Sequence, residues 1–402
     1  MTTNFEIILD IRLIDYQSTT AAGINMDALR QSIDQQQSGL RKNNFSLCDL
    51  NTWIGRVEGI EEIQLGKWQS RNNALAALGL EQGGLLDKLE HLKKHYSPAR
   101  IGLVIGSSTA SIDRAEEAYR HLDENGHMDT EFQQPHVHNP HAPGLFVAHY
   151  TGVTGPTMTI NTACSSSAKV FATGARWLEQ GIVDAVLVGG VDTLCMSVLY
   201  GFHSLQLMSG HQCKPFDQNR DGINLGEAAG FTILMRAEDS ANDTGISLRG
   251  YGESSDAHHM SHPHPEGLGA RLAIQKALDM ADLNSHQIDY INLHGTASHA
   301  NDLIEGQLIG EMFPKSTQTS STKAWMGHTL GAAGIVEAII AADALLHNIV
   351  PGCLNLTSLD NELDFSIQSN NLKKQLTHVM SNSFGFGGSN CCVIFGKANK
   401  AG

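Results

Sequence analysis

The chain has 402 residues, more than one hydrophobic core normally organises, which indicates two or three domains or one large two-part fold. Hydrophobic residues at 41% and charged residues at 17%, with 40 glycines and 10 prolines, exclude a disordered or fibrous chain. A formal charge of -15 excludes nucleic acid and anionic membrane as the main partner, because most of the surface would repel them.

In chain order, the stretch Met1 to Tyr16 sets Phe5, Ile7, Leu9 and Ile11 against Glu6, Asp10 and Arg12, the alternation of a strand rather than the continuous apolar core of a signal peptide. No run approaches the roughly 18 uncharged apolar residues of a membrane span. Seven unevenly spaced cysteines offer neither a zinc spacing nor a secreted disulfide framework, which predicts a cytoplasmic protein with reduced thiols. The basic run Lys88 to Arg100 reads as the solvated face of a helix. Apolar β-type runs follow at Ile101 to Ile105, Thr157 to Ile160, Ala185 to Val188, Ile288 to Leu293 and Cys392 to Phe395, with helical stretches between them, an α/β pattern. Glycines punctuate the ends of several runs (Gly106, Gly189, Gly190, Gly295, Gly385), where open α/β proteins build their sites. A polar seam at Asp239 to Gly245 predicts halves 1–240 and 241–402; no short repeat is visible, and a duplicated half is compatible with the pattern without being shown by it.

Chemistry concentrates at the strand ends. In Asn161-Thr-Ala-Cys164-Ser-Ser-Ser167 a β-like run ends at a cysteine before the helical stretch Ala168 to Glu179. A thiol at a helix amino terminus is held as thiolate by the dipole and unpaired amides, so a nucleophile fits, and so does a buried structural cysteine. A second strand runs into a glycine turn at Ile291-Asn-Leu-His294-Gly-Thr296-Ala-Ser298, and Ser321-Thr-Lys323-Ala-Trp-Met-Gly327-His328 opens an apolar helix from Leu330 to Leu345. Either histidine alone reads equally as a satisfied core or turn residue. The loop Asn382-Ser-Phe384-Gly385-Phe386-Gly387-Gly388 can aim backbone amides at an oxyanion.

These motifs, in this order, resemble the β-ketoacyl-acyl-carrier-protein synthases of the thiolase superfamily, and Pro215-Phe-Asp217-Gln-Asn-Arg220-Asp221-Gly222 is similar to that family's segment between its halves. The resemblance runs from about Ile101 to the carboxyl end. It implies a thiolase-like fold, two similar α/β halves in a five-layered αβαβα arrangement. It implies decarboxylative condensation of an acyl group with a malonyl unit, both carried on the phosphopantetheine of acyl carrier protein, with no bound cofactor and no metal. Cys164 would be the nucleophile and His294 and His328 would hold the malonyl thioester oxygen. Lys323 would orient the first histidine. The amides of Cys164 and Phe386 would form an oxyanion hole, with Phe386 also a gate, Thr296 and Ser298 contacting the pantetheine arm, and Glu337, Phe384 and Gly387 in support. Asp302 and Glu305 read as solvated surface acids.

The resemblance also implies a dimer, either of identical chains or with a noncatalytic, chain-length-factor-like homologue. Departures from housekeeping members are the opening Asp15-Tyr-Gln-Ser-Thr-Thr-Ala-Ala-Gly23, the short loop Ser209 to Lys214, the extra methyl of Ala228, and His299 where proline is common. They bring the chain closer to ketosynthases of type II polyene (aryl polyene-like) pathways, with housekeeping fatty-acid elongation and a noncatalytic partner subunit as alternatives. The cluster His258, His259, His262 and His264 suits no single helix face, since Pro263 and Pro265 interrupt it, and is not read as a metal site. Cys195, Cys213, Cys353, Cys391 and Cys392 read as small core or surface residues.

Overall fold

The computed structural model describes residues 10–46, 48–240 and 243–398. Its backbone is a sheet of ten strands among the described residues: β1 (Ile11–Thr20), β2 (Ile101–Gly106), β3 (Thr157–Ile160), β4 (Ala185–Asp192), β5 (Ala228–Arg236), β6 (Ile246–Ser255), β7 (Tyr290–Asn292), β8 (Gln318–Ser320), β9 (His378–Gly385) and β10 (Ser389–Lys397). Of the alternating stretch at the amino terminus, residues 1–9 lie outside the described residues and the rest enters β1. β1 is almost wholly buried because it lies in the middle of the sheet, where both faces are covered.

The strand order is β8-β7-β9-β10-β6-β1-β5-β4-β2-β3. Read outward from the centre, the five strands of each half follow one order, β1-β5-β4-β2-β3 and β6-β10-β9-β7-β8. The sense of pairing repeats too. β2 is parallel to β3 and β4 as β7 is parallel to β8 and β9, while β5 and β10 each pair antiparallel with both neighbours. The halves join where Ile11 and Arg12 pair with Leu248 and Ser247. The duplication that the sequence only permitted is thus explicit in the topology. The connector from β5 to β6 is the polar stretch at Asp239 to Gly245, of which residues 241 and 242 lie outside the described residues.

Eight of the eleven α-helices among the described residues surround the sheet and the site: α1 (Arg71–Leu80), α2 (Leu85–His95), α3 (Ala142–Thr151), α4 (Lys169–Glu179), α5 (Met196–Ser204), α6 (Leu268–Ala281), α7 (His299–Met312) and α8 (Ala333–His347). α4 and α8 form the middle layer, packing against strands of both halves, and the central cluster joins Phe171 and Ile339 to Leu234 and Phe395. α1 and α3 cover the outer face of one half and α6 and α7 that of the other, each over its own apolar cluster. The result is the five-layered αβαβα arrangement that the resemblance implied. α8 is buried from Ala333 through Leu345, and apart from Glu337 and Asp343 those residues are apolar or small. The segment Leu330–His347 is long and apolar enough to cross a membrane by composition, but it carries Glu337 and Asp343 and lies within the protein core. In α2, Leu85, Leu89 and Leu92 face inward, and Lys93 reaches the Thr151 carbonyl at 2.6 Å.

Candidate active site

After β3 the chain turns sharply through Thr162 and Ala163, and Ala163 takes a left-handed backbone (φ 53°), a conformation costing a non-glycine residue about 1 kcal/mol. The serines of the motif hold this turn: Ser166 Oγ accepts from Thr162 N at 2.9 Å and donates to the Ala163 carbonyl at 2.6 Å, and Ser165 Oγ donates to the Thr162 carbonyl at 2.9 Å. Small residues are needed around it. A Cβ on Gly106 or Gly190 would come within 2.4 Å of Ser167, and one on Gly334 within 2.4 Å of Ala168 N.

Cys164 is 5% exposed at the floor of a cavity of about 270 Å³ that opens to the surface. α4 runs from Lys169, whose N–H donates to the Ser165 carbonyl at 3.3 Å, so the thiol stands directly before the helix's first turn. Burial pushes the Cys164 thiol up to about 11, opposed by the backbone N–H of Phe386 and the charge of Lys323. Removal from water outweighs those opposing contributions. The groove offers a proton acceptor instead, His328 Nε2, 3.0 Å from Cys164 Sγ. Burial and the Lys323 charge hold His328 well below the usual histidine range, so its ring is neutral near pH 7.

Each histidine is pinned through its backbone. His328 N donates to the Asn224 carbonyl at 2.8 Å, and the His328 carbonyl accepts from Gly226 N at 3.0 Å, which ties this loop of one half to the other. Gly327 before it has φ 83° and abuts Gly226 N, a place for glycine alone. His294 lies two residues past β7, and its N–H and that of Gly295 both donate to Glu305 at 2.8 Å. Lys323, 1% exposed, donates to the His294 carbonyl and to the Glu337 carboxylate, and its Nζ lies 3.5 Å from His294 Nδ1. The two imidazoles meet edge to face with centroids 5.4 Å apart. Burial, then the Lys323 charge, then His328 hold His294 well below the usual range.

Asp302 and Glu305 are buried, which overturns their reading as solvated acids. Asp302 accepts from Phe216 N at 2.7 Å and Ala297 N at 3.1 Å, so it fixes the turn after His294 to the Pro215–Gly222 segment. Burial pushes Glu305 and Glu337 each up to about 7, in Glu337 against the opposing Lys323 charge. A further buried acid escaped the sequence reading. Asp192, at the end of β4, accepts from the hydroxyls of Ser107, Ser108 and Thr109 and from the N–H groups of Ser108, Thr109 and Gly331. It binds the loop after β2 to the turn after His328. Its sequence signal was a lone aspartate after Gly189 and Gly190.

Phe386 follows β9, and its ring stacks on Phe202 with centroids 5.5 Å apart and planes 19° apart. Phe384 lies 6.1 Å from His294 by centroids. Gly387 has φ 78°, and its N–H donates to the Met260 carbonyl at 2.7 Å, tying the glycine loop to the histidine-rich loop. Thr296 and Ser298 line the cavity with their hydroxyls 2.9 Å apart. The structure therefore brings every one of the named site residues to the cavity or directly behind it.

The ligand-type atoms of Cys164, His294 and His328 lie within 4.8 Å of one another, a donor set that suits a soft cation by type, but the Lys323 ammonium beside His294 opposes one. At the rim the four clustered histidines fall into two pairs, His258 with His264 and His259 with His262, rather than around one point. All seven cysteines are free, and Cys195, Cys213, Cys353, Cys391 and Cys392 are buried.

Residues 73–240 match the family described as "Beta-ketoacyl synthase, N-terminal domain" and residues 246–357 the one described as "Beta-ketoacyl synthase, C-terminal domain". The chain is similar to the 3-oxoacyl-[acyl-carrier-protein] synthase 2 of Vibrio harveyi, at 34% identity over 316 residues, covering 74% of this chain and 76% of that one. Among solved structures it is similar to a chain of the ketosynthase ApeO in complex with its chain length factor ApeC from Xenorhabdus doucetiae, with 33% identity, a TM-score of 0.87 and coverage of 99% and 100%. A β-ketoacyl synthase from Burkholderia phymatum shares 25% identity, with a TM-score of 0.86 over 97% of this chain and 100% of that one.

Proposed function

We propose a course of catalysis for a chain that belongs to the β-ketoacyl synthase family and is an acyltransferase of the 3-oxoacyl-[acyl-carrier-protein] synthase class. The observation that carries it is the 3.0 Å approach of His328 Nε2 to Cys164 Sγ beneath the N–H of Phe386. Half 1–240 presents the nucleophile; half 241–402 presents both histidines, the lysine and the glycine loop.

The acyl group arrives as a thioester on the phosphopantetheine arm of acyl carrier protein, lying along Thr296 and Ser298. Cys164 Sγ attacks the thioester carbon as His328 takes its proton. The tetrahedral oxyanion is held by the N–H groups of Cys164 and Phe386, each typically worth about 3 kcal/mol. The carrier sulfur leaves with a proton from solvent, the acyl chain stays on Cys164, and His328 keeps the thiol's proton on Nε2 for the second half-reaction. Phe386 swings aside to admit malonyl carrier. The ring N–H groups of His294 and His328 hold the malonyl thioester oxygen, so the electron pair released as carbon dioxide departs is stabilised as an enolate. Its carbon attacks the acyl carbon, a C–C bond forms, and collapse of the second oxyanion expels the Cys164 sulfur, which takes back the proton held on His328 Nε2. Lys323 orients His294, and Glu337 balances the lysine charge.

The pathway is a type II polyene (aryl polyene-like) one. Its support is the 33% identity, over 99% of this chain, to one chain of a ketosynthase–chain length factor complex. The partners are acyl carrier protein and a second ketosynthase-like chain, identical or a chain length factor. Possession of Cys164, His294, His328 and Lys323 speaks against a noncatalytic subunit.

Intact mass spectrometry tests the course: an acyl adduct with acyl carrier that disappears in Cys164→Ala, and elongated β-ketoacyl carrier after malonyl carrier is added. No adduct with short, long or aryl starters, alone or with a homologous partner, would refute it.

A further inference from the structure

Two segments meet over Cys164, one from each half of the chain. The turn 161–168 carries the thiol, and the glycine loop 385–388 carries Phe386, whose N–H hydrogen-bonds the sulfur. An oxyanion hole works only with its donors at a fixed separation, so whatever ties these two segments together sets its geometry. Their backbones lie close: a Cβ on Gly385 would come within 2.9 Å of the Thr162 carbonyl oxygen and 3.2 Å of Ser165 N. A side chain bridges them as well. Lys169, the first residue of α4, donates from Nζ to Ser389 Oγ at 2.7 Å, and Ser389 directly follows Gly388.

Lys169 does not line the cavity, and its ammonium is held in place. The side chain is 14% exposed, and Glu253 Oε1 lies 3.9 Å from Nζ while Glu253 is itself paired with Arg176. The other polar anchors of the glycine loop belong to the loop after β6 and to β10. Gly387 N donates to the Met260 carbonyl at 2.7 Å, and the Gly388 carbonyl accepts from Asp256 N at 2.8 Å and from Asn390 Nδ2 at 3.1 Å. Gly387 and Gly388 have φ of 78° and 75°, backbone that glycine takes without strain, so the loop can pivot there. The bond from Lys169 ties the foot of that pivot to the helix that follows the nucleophile.

We infer that Lys169 is a positioning residue: through Ser389 it holds the glycine loop down on Cys164, which fixes the Phe386 N–H as oxyanion donor and keeps the Phe386 gate shut until the thiol is acylated. This rests on the donor and gate roles proposed for Phe386. Loss of the bond then has opposite effects on two reactions. Acylation of Cys164 needs the closed loop and slows. Decarboxylation of malonyl carrier by the unacylated protein needs the open loop and speeds up. In that reaction the bond to the carboxylate carbon breaks, carbon dioxide leaves, and the enolate carbon takes a proton from water to give acetyl carrier. A general loosening of the fold would slow both.

The test reads both as initial rates by intact mass: adduct formation with acyl carrier, and conversion of malonyl to acetyl carrier with no acyl primer present. Lys169→Met and Ser389→Ala each slow acylation about tenfold and raise primer-free decarboxylation by about the same factor, the scale of one hydrogen bond to a charged group acting on a closed-to-open balance. The double variant is no worse than either single one, because both remove the same bond. Ser389→Thr, which keeps the hydroxyl, returns both rates to the parent's. Unchanged rates in the single variants, both rates falling together, or losses that multiply in the double variant overturn the assignment. A parent protein that forms no adduct with any starter refutes the catalytic course itself, and this inference with it.

Discussion

Replacing Lys323 by methionine removes the cation from a pair sealed in the protein and leaves Glu337, which is 3% exposed, without its partner. Breaking a buried pair from one side typically costs about 3–5 kcal/mol, because the charge left behind has neither water nor counter-ion. Glu337 can escape by taking a proton, and pH controls that escape. Its carboxyl already sits near 7 with Lys323 present, since burial raises it while the lysine lowers it; without the lysine it rises further. A carboxyl whose folded value lies above its unfolded one stabilises the fold at low pH, and that stabilisation is lost as pH rises through the folded value. In the parent protein the loss is complete just above pH 7. In Lys323→Met it continues at about 1.4 kcal/mol per pH unit. The thermal midpoint of the variant therefore falls further behind the parent's at pH 8 than at pH 6, measured at one protein concentration because the chain is proposed to dimerise. The double variant Lys323→Met with Glu337→Gln closes the widening. A gap that stays constant or narrows from pH 6 to pH 8 would refute the account of Glu337 as a buried acid held ionised by Lys323.

His328→Ala slows acylation of Cys164 by about 10² to 10⁴ at pH 7, the usual worth of a positioned base, read as the rate of adduct formation by mass. Because burial sets the thiol near 11, the deficit shrinks steadily toward pH 10 as solvent base supplies the thiolate; a deficit constant with pH would show that His328 does not take that proton. Asp192→Asn turns an amide N–H₂ toward donors that now meet a carboxylate, including the N–H groups of Thr109 and Gly331. The midpoint should drop by the equivalent of about 2–3 kcal/mol, and acylation should slow as the turn after His328 loosens; an unchanged midpoint would show that this hub does not support the site.

The site's principal residues were legible because each stands at a strand end marked by its own neighbours. Cys164 sits among small residues that a tight turn requires, His294 and His328 each border a glycine, and Phe386 lies between glycines. These are local signals, decided by backbone conformation within a few residues. The acids behind them were not legible. Asp302 and Glu305 head an ordinary helix, and what makes them structural is the company of Phe216 and the turn at His294, which only packing brings together. Asp192 likewise gathers loops from both halves of the chain.

The same division explains the thiol. Sequence alone determined that a cysteine would stand between the end of a β run and a helical stretch, since the apolar run before it and the helical pattern after it are local signals. Whether that thiol is ionised depended on how much water the folded protein leaves around it, and on where His328, Lys323 and the Phe386 N–H come to rest. Those contributions arise from residues more than a hundred positions away in the chain. Desolvation and long-range charge are properties of the assembled volume, so tertiary structure decided them.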